Sequence, residues 1–131
     1  MERTPVNPWG WSLKFGFNQG EVIQGHRREL ICSGQAAMDA DGKPQHAGDM
    51  RSQLCMALDN LEAVLAGAGL ALANVVRLNI YTTDVDEFLT HGEVLVTRLG
   101  AAGIAPPSTL LGVTRLAFPE LMIELEATAA E

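Results

Sequence analysis

The sequence is short of charge, and shorter still of positive charge. Asp, Glu, Lys and Arg make up 19% of it, below the ~25% common in globular proteins. Nine basic residues face sixteen acidic ones, for a formal net charge of −7. That balance argues against a broad electrostatic grip on nucleic acid or on anionic membrane. Cysteine is scarce too. Cys32 and Cys55 stand in apolar segments without CxxC or CxxH spacing, so neither a disulfide framework nor a cysteine zinc site is expected. His26, His46 and His91 are too scattered to make a metal site by spacing, and no metal or other cofactor is expected. There is no long unbroken apolar run. The most apolar stretch, Leu61–Val76, is interrupted by Glu62, Gly67, Gly69 and Asn74, which excludes a membrane span. Residues 1–11 lack the basic and apolar regions of a signal peptide, so the expected location is the cytoplasm. Ser33 has no Gly-x-Ser-x-Gly context, and no phosphate-cradling glycine loop is present.

What is there suffices for one domain over residues 1–131, with 47% apolar residues and a mean hydropathy of +0.11. Little charge on a small surface predicts that another subunit covers some apolar area. Residues 1–12 read as an extended lead-in containing Trp9 and Trp11, expected to pack on the sheet. Phe15–Gly20, Glu21–Gly25 and Arg28–Ser33 read as short strands, and Met38–Gly48 as loop. Asp49 is a candidate N-cap for a helix whose apolar face recurs at Leu54, Ala57, Leu58, Leu61, Leu65 and Ala68. Asn74–Thr82 alternates as a strand, with Val76, Leu78 and Ile80 on one side and Val75, Arg77, Asn79 and Tyr81 on the other. Asp84 caps a second helix over 85–99, and Thr109–Arg115 and Leu121–Ala127 are the last strands. The order β-β-β-α-β-α-β-β predicts an α+β fold, with helices covering one face of a mixed sheet. In the last strand Leu121, Ile123 and Leu125 point one way and Met122, Glu124 and Glu126 the other. Two carboxylates then stand on the face left free.

Cys32-Ser33-Gly34-Gln35, Leu58-Asp59-Asn60-Leu61…Ala68-Gly69-Leu70, Thr83-Asp84…Phe88 and Pro106…Val113…Arg115-Leu116…Ile123-Glu124-Leu125-Glu126 occur in one order. Together, from about Phe15 to the C-terminus, they resemble the YjgF/RidA family of reactive-intermediate (imine) deaminases, whose members also carry the label endoribonuclease L-PSP. The resemblance implies a chorismate-mutase-like α+β fold, two helices on one face of a sheet, and a homotrimer whose sheets form a central barrel. It also implies small-molecule clefts between subunits that hydrolyse enamines and imines to a keto acid and ammonia.

Carried over residue by residue, the resemblance puts the water-positioning glutamate on Glu124 and the Ser-Gly backbone on Ser33 and Gly34. The arginine that holds the substrate carboxylate falls on Ser108, the cleft tyrosine on Phe17, an asparagine near Gly92 and a small cysteine on Leu110. The implied pocket has lost its cation and gained apolar area. Losing a bidentate arginine contact costs on the order of 2–5 kcal/mol, a rate loss of roughly thirty-fold to several thousand-fold. The standard 2-iminoacid reaction is therefore not expected. Arg77, on the face of Tyr81, and His91, beside the asparagine position, are the candidates for a replacement cation, while Arg115 has the opposite strand parity to Ser108. Against these readings stand plainer ones: Glu126 as an interface charge, Arg77 in a structural salt bridge, and Cys32 and Cys55 as small buried apolar residues. Two functions compete, a RidA-like hydrolase of a less acidic intermediate and a non-catalytic trimeric small-molecule-binding protein. The acidic balance counts against ribonuclease activity.

Overall fold

The computed structural model describes residues 1–131. Its centre is the helix α1, Met50–Gly67. The Asp49 carboxylate accepts hydrogen bonds from the Ser52 backbone N–H at 3.0 Å and the Ser52 hydroxyl at 2.7 Å, so the helix starts where the cap predicts. It stops at Gly69, whose φ of +74° lets the Leu70 N–H turn back to the Leu65 carbonyl. Leu54, Ala57, Leu58, Leu61 and Leu65 are buried along one face and enter a cluster with Leu78, Ile80, Ile123 and Leu125 of the sheet.

The sheet has five strands: β3 (Glu29–Ile31), β4 (Gln35–Ala36), β5 (Val75–Thr82), β6 (Ser108–Gly112) and β7 (Ile123–Ala130). Its order is β3-β7-β5-β6, with β4 also pairing β7. β5 and β6 run parallel and the other pairs antiparallel, which makes the mixed α+β arrangement. A separate hairpin joins β1 (Glu2–Val6) to β2 (Gly20–Gln24). Arg3 pairs with Glu21 across the hairpin at 2.7 Å and fixes the hairpin to the main sheet by donating to the Ala73 and Val75 carbonyls.

Several expectations are corrected. Phe15–Gly20 is not a strand. Leu13–Phe15 is a 3-10 turn ending at Gly16 with φ +83°, and the Phe15 and Phe17 rings meet the edge of Trp11 rather than alternating across a sheet. Residues 2–6 of the lead-in are the strand instead, and Trp9 and Trp11 stay exposed rather than packing on the sheet. In β5 the register slips between Val75 and Arg77, so Val75 joins Leu78, Ile80 and Thr82 on the helix side and Val76 does not. The second helix is two, α2 (Val85–Thr90) and α3 (Glu93–Ala101), interrupted at His91–Gly92 because glycine is costly inside a helix. Three helices, not two, cover the sheet. β6 ends at Gly112, so Arg115 lies beyond the strand and donates to the Leu116 and Ala117 carbonyls, and strand parity does not govern it.

Candidate functional site

β6 pairs with β5 so that Ser108 lies beside Leu78 and Leu110 beside Ile80. Paired residues share a face, so Ser108 and Leu110 point toward the helices. There they meet a cavity of about 690 Å³. The interruption before α3 puts Gly92 on its wall, together with Phe88, Leu89, Leu95, Val96 and Leu99. The other wall is the 3-10 turn, with Lys14, Phe15, Gly16 and Phe17. Gly16 allows this close approach, because a Cβ there would lie 3.2 Å from the Val96 side chain. The Asn18 N–H holds the segment down through the Ala105 carbonyl at 2.8 Å. Phe17, Gly92, Ser108 and Leu110 thus share one largely apolar cavity. The Ser108 hydroxyl donates to the Pro106 carbonyl at 2.8 Å, which leaves its oxygen an acceptor.

Glu124 is elsewhere. It lies beside Tyr81 in the register and across from Ala36, on the sheet face without helices. Four steps from Ile31 to Gln35 span three from Thr128 to Leu125, so a bulge falls at Cys32–Gly34. The bulge brings Gly34 under the carboxylate of Glu124, so closely that a Cβ on Gly34 would sit 2.4 Å from Oε2. Any side chain at position 34 would force the Glu124 side chain to move. Burial, and then the neighbouring charge of Glu126, push the Glu124 carboxyl above the ordinary carboxylate range. Asn79 and Tyr81 both donate to Glu126, at 2.9 and 3.1 Å, and the bond to Glu126 raises the Tyr81 hydroxyl. Ser33 and Gly34 are exposed.

The predicted residues therefore form two groups on opposite faces of the sheet, and one chain does not bring Ser108 and Glu124 together. Arg77 belongs to the Glu124 face, where it donates to the Thr109 hydroxyl at 2.6 Å. His91 turns to Glu87 at 3.2 Å and does not line the cavity. Cys32 is buried and its thiol raised by burial, as a small apolar residue would be. No group of three His, Cys, Asp or Glu is placed to hold a metal ion, and no helix is long and apolar enough to cross a membrane. Lys14 lies between the lead-in and the expected strand at Phe15–Gly20, where the sequence pattern assigns it no role; the 3-10 turn places it at the cavity.

The family model described as Endoribonuclease L-PSP matches residues 15–131. The chain belongs to this family, the YjgF/RidA proteins. Among its relatives, mitochondrial protein mmf2 of Schizosaccharomyces pombe is 33% identical, covering 100% of both chains. The RutC family protein YjgH of Escherichia coli is 28% identical over 100% of this chain and 98% of its own. A solved Rid-family structure, YyfB from Yersinia pestis, superposes with a TM-score of 0.89 at 32% identity, with both chains covered in full. The α+β architecture described above is the YjgF/RidA fold. Within that fold the chain carries Ser108, Phe17 and Leu110 in its cavity, an apolar lining with no arginine.

Proposed function

We propose that copies of the chain assemble as a homotrimer through the open faces of their sheets, with the sheets forming a central barrel. In each cleft Glu124 of one copy then meets the cavity of the next. A small, largely apolar metabolite binds there, and an imine or enamine is its reactive form. The Glu124 carboxylate positions a water and takes its proton as the oxygen attacks the imine carbon. That proton passes to the nitrogen to give a carbinolamine; Glu124 then takes the hydroxyl proton and delivers it to the nitrogen as the C–N bond breaks, and a carbonyl compound and ammonia leave. Ser33 and Gly34 offer backbone groups beside the carboxylate, while Phe17, Gly92, Ser108 and Leu110 shape the substrate's seat.

The convergence of Phe17, Gly92, Ser108 and Leu110 on one cavity carries this reading. Two features of the other face support the assembly: a partly desolvated carboxylate at Glu124, and exposed Ile31 and Leu111, at 71% and 51%. With serine at position 108, small 2-iminoacids are poor substrates. A non-catalytic small-molecule-binding protein is the second reading, favoured by the apolar lining and by the committed proton of Ser108. The family's ribonuclease label has no basic stripe to support it, given the net charge of −7.

Light scattering on the purified protein tests the assembly, and a monomer overturns it. For the chemistry, imines without a carboxylate are generated from an apolar primary amine with a flavin amine oxidase, and ammonia release is followed with wild type and Glu124→Ala. Faster release with wild type alone supports hydrolysis. Equal rates overturn it and leave the binding protein.

A further inference from the structure

The cavity has a cation after all. Of the basic side chains, Arg3, Arg28, Arg51 and Arg98 are each paired with carboxylates, and Arg77 and Arg115 are bonded on or beyond the opposite face. Arg27 and Lys43 do not line the cavity. Lys14 does, and it has no carboxylate partner. Its ammonium lies 5.1 Å from the centroid of the Phe15 ring, which is itself part of the wall. Glu93 is the one acidic residue lining the cavity, and its carboxylate is taken up by Arg51. Within one chain, a positive charge with no acidic partner therefore stands at the edge of a largely apolar space.

We propose that Lys14 anchors the carboxylate of a monoanionic ligand whose apolar body, aromatic or long aliphatic, fills the cavity among Phe15, Phe17, Phe88 and Leu99. A two- or three-carbon acid held at Lys14 covers little of the apolar wall formed by Phe17, Phe88 and Leu99. A bulky one replaces solvent along the apolar wall while its charged end stays at the lysine. The lysine sits on the 3-10 turn, seated against α3 through Gly16 and Val96, and not on the sheet strand that carries Ser108. A point charge on a flexible stem accepts carboxylates at varied depth, where a planar guanidinium fixes one geometry. The shift of the cation from strand to turn thus goes with a change of ligand size. This rests on the reading of the cavity as the ligand site, but not on hydrolysis.

Isothermal titration of the full-length protein with 4-phenylbutyrate, its neutral counterpart 4-phenylbutan-1-ol, and propionate tests it. Wild type is expected to bind phenylbutyrate about tenfold more tightly than the alcohol, the scale of one charge-assisted hydrogen bond. Propionate is expected to bind much more weakly than either. Lys14→Gln should erase the preference for the acid and keep the alcohol's affinity, and Lys14→Arg should restore the preference. Raising the salt should narrow it in wild type alone. An acid preference that survives in Lys14→Gln, or no preference in wild type, overturns the role of Lys14 and leaves the cavity as the ligand site. Failure of both the acid and the alcohol to bind overturns both.

Discussion

Along β7, Ile123, Leu125, Ala127 and Ala129 are buried under the helices, whereas Glu124, Glu126 and Thr128 stand half-buried on the other face. On the helix side the core is complete within one chain: its apolar residues meet one another, and the turn at Leu13–Phe15 supplies one wall of its cavity. The open side is not. A carboxylate there is already partly desolvated and repelled by its neighbour, while Ile31 and Leu111 remain in water. The difference separates the face that the fold itself buries from the face to which we assign assembly and chemistry. A face that holds together alone can be apolar throughout. A face that keeps an acid near Gly34 gives up stability for a group with a raised proton affinity.

The sharpest way to break this comparison is to remove the same side chain from each face. Leu58→Ala, at a fully buried position on the sheet-facing side of α1, is expected to cost ~2–5 kcal/mol in denaturant unfolding. Leu111→Ala, on the open face, should change the stability of the dilute chain by only ~0.5 kcal/mol. Its effect should appear in light scattering, as weaker association. Equal losses at both sites would mean that the open face is part of the fold's own core.

The helix side was also the more legible one. The 3.6-residue period of α1, the Asp49 cap and the alternation of β7 all appear in the structure, because each follows from local spacing and from one buried face. The segment at Phe15–Gly20 misled because Phe15 and Phe17 alternate as strand residues do, yet their rings serve Trp11 and the cavity. Lys14, between the lead-in and that segment, belongs to no recognisable element in the sequence. The slip at Val76 and the bulge at Cys32–Gly34 come from pairing with β7, which no local pattern records. The resemblance to the family located Phe17, Gly92, Ser108 and Leu110, which share the cavity, and Glu124, which does not. Gln53 was invisible as well. Its amide is fully buried, donates to the Gln45, His46 and Glu120 carbonyls, and accepts from the Met122 N–H at 2.8 Å. A glutamine inside a helix reads as surface until the loops it ties down are seen.

Gln53 is the next test in size. Gln53→Ala strands several buried backbone groups, each costing ~1–3 kcal/mol when left unpaired. A loss of about 2–3 kcal/mol is expected by thermal or denaturant unfolding. Gln53→Met, which fills the space without the bonds, should not recover it. Full recovery would show that shape, not hydrogen bonding, holds the loops.

A smaller effect belongs to Glu124 and is read in its pH dependence. Its carboxyl binds a proton more tightly in the folded chain than in the unfolded one. The folded state therefore holds more protons between the ordinary carboxylate range and the raised value, and stability falls as pH rises through that window. Glu124→Gln should remove this fall and leave the mutant more stable above the window. A slope unchanged by the mutation would place the titrating group elsewhere.

Gly34→Ala is expected to move stability least, within ~0.5 kcal/mol, and is the most informative about the site. The backbone at Gly34 is not left-handed, so alanine adds no φ strain. Its methyl group would fall 2.4 Å from Oε2 and 2.6 Å from Cδ of Glu124. Cγ, at 2.9 Å, is crowded as well, so the Glu124 side chain turns about its Cα–Cβ bond, carries the carboxylate away and leaves the strand in place. Freed from its partly buried position, Glu124 should return toward the ordinary carboxylate range, and the fall in stability with pH should shrink as it does in Glu124→Gln. Imine hydrolysis should fall in parallel while the melting temperature holds. If the alanine variant keeps both the pH slope and the activity of wild type, the close approach of Glu124 to Gly34 is not what sets that carboxyl's proton affinity.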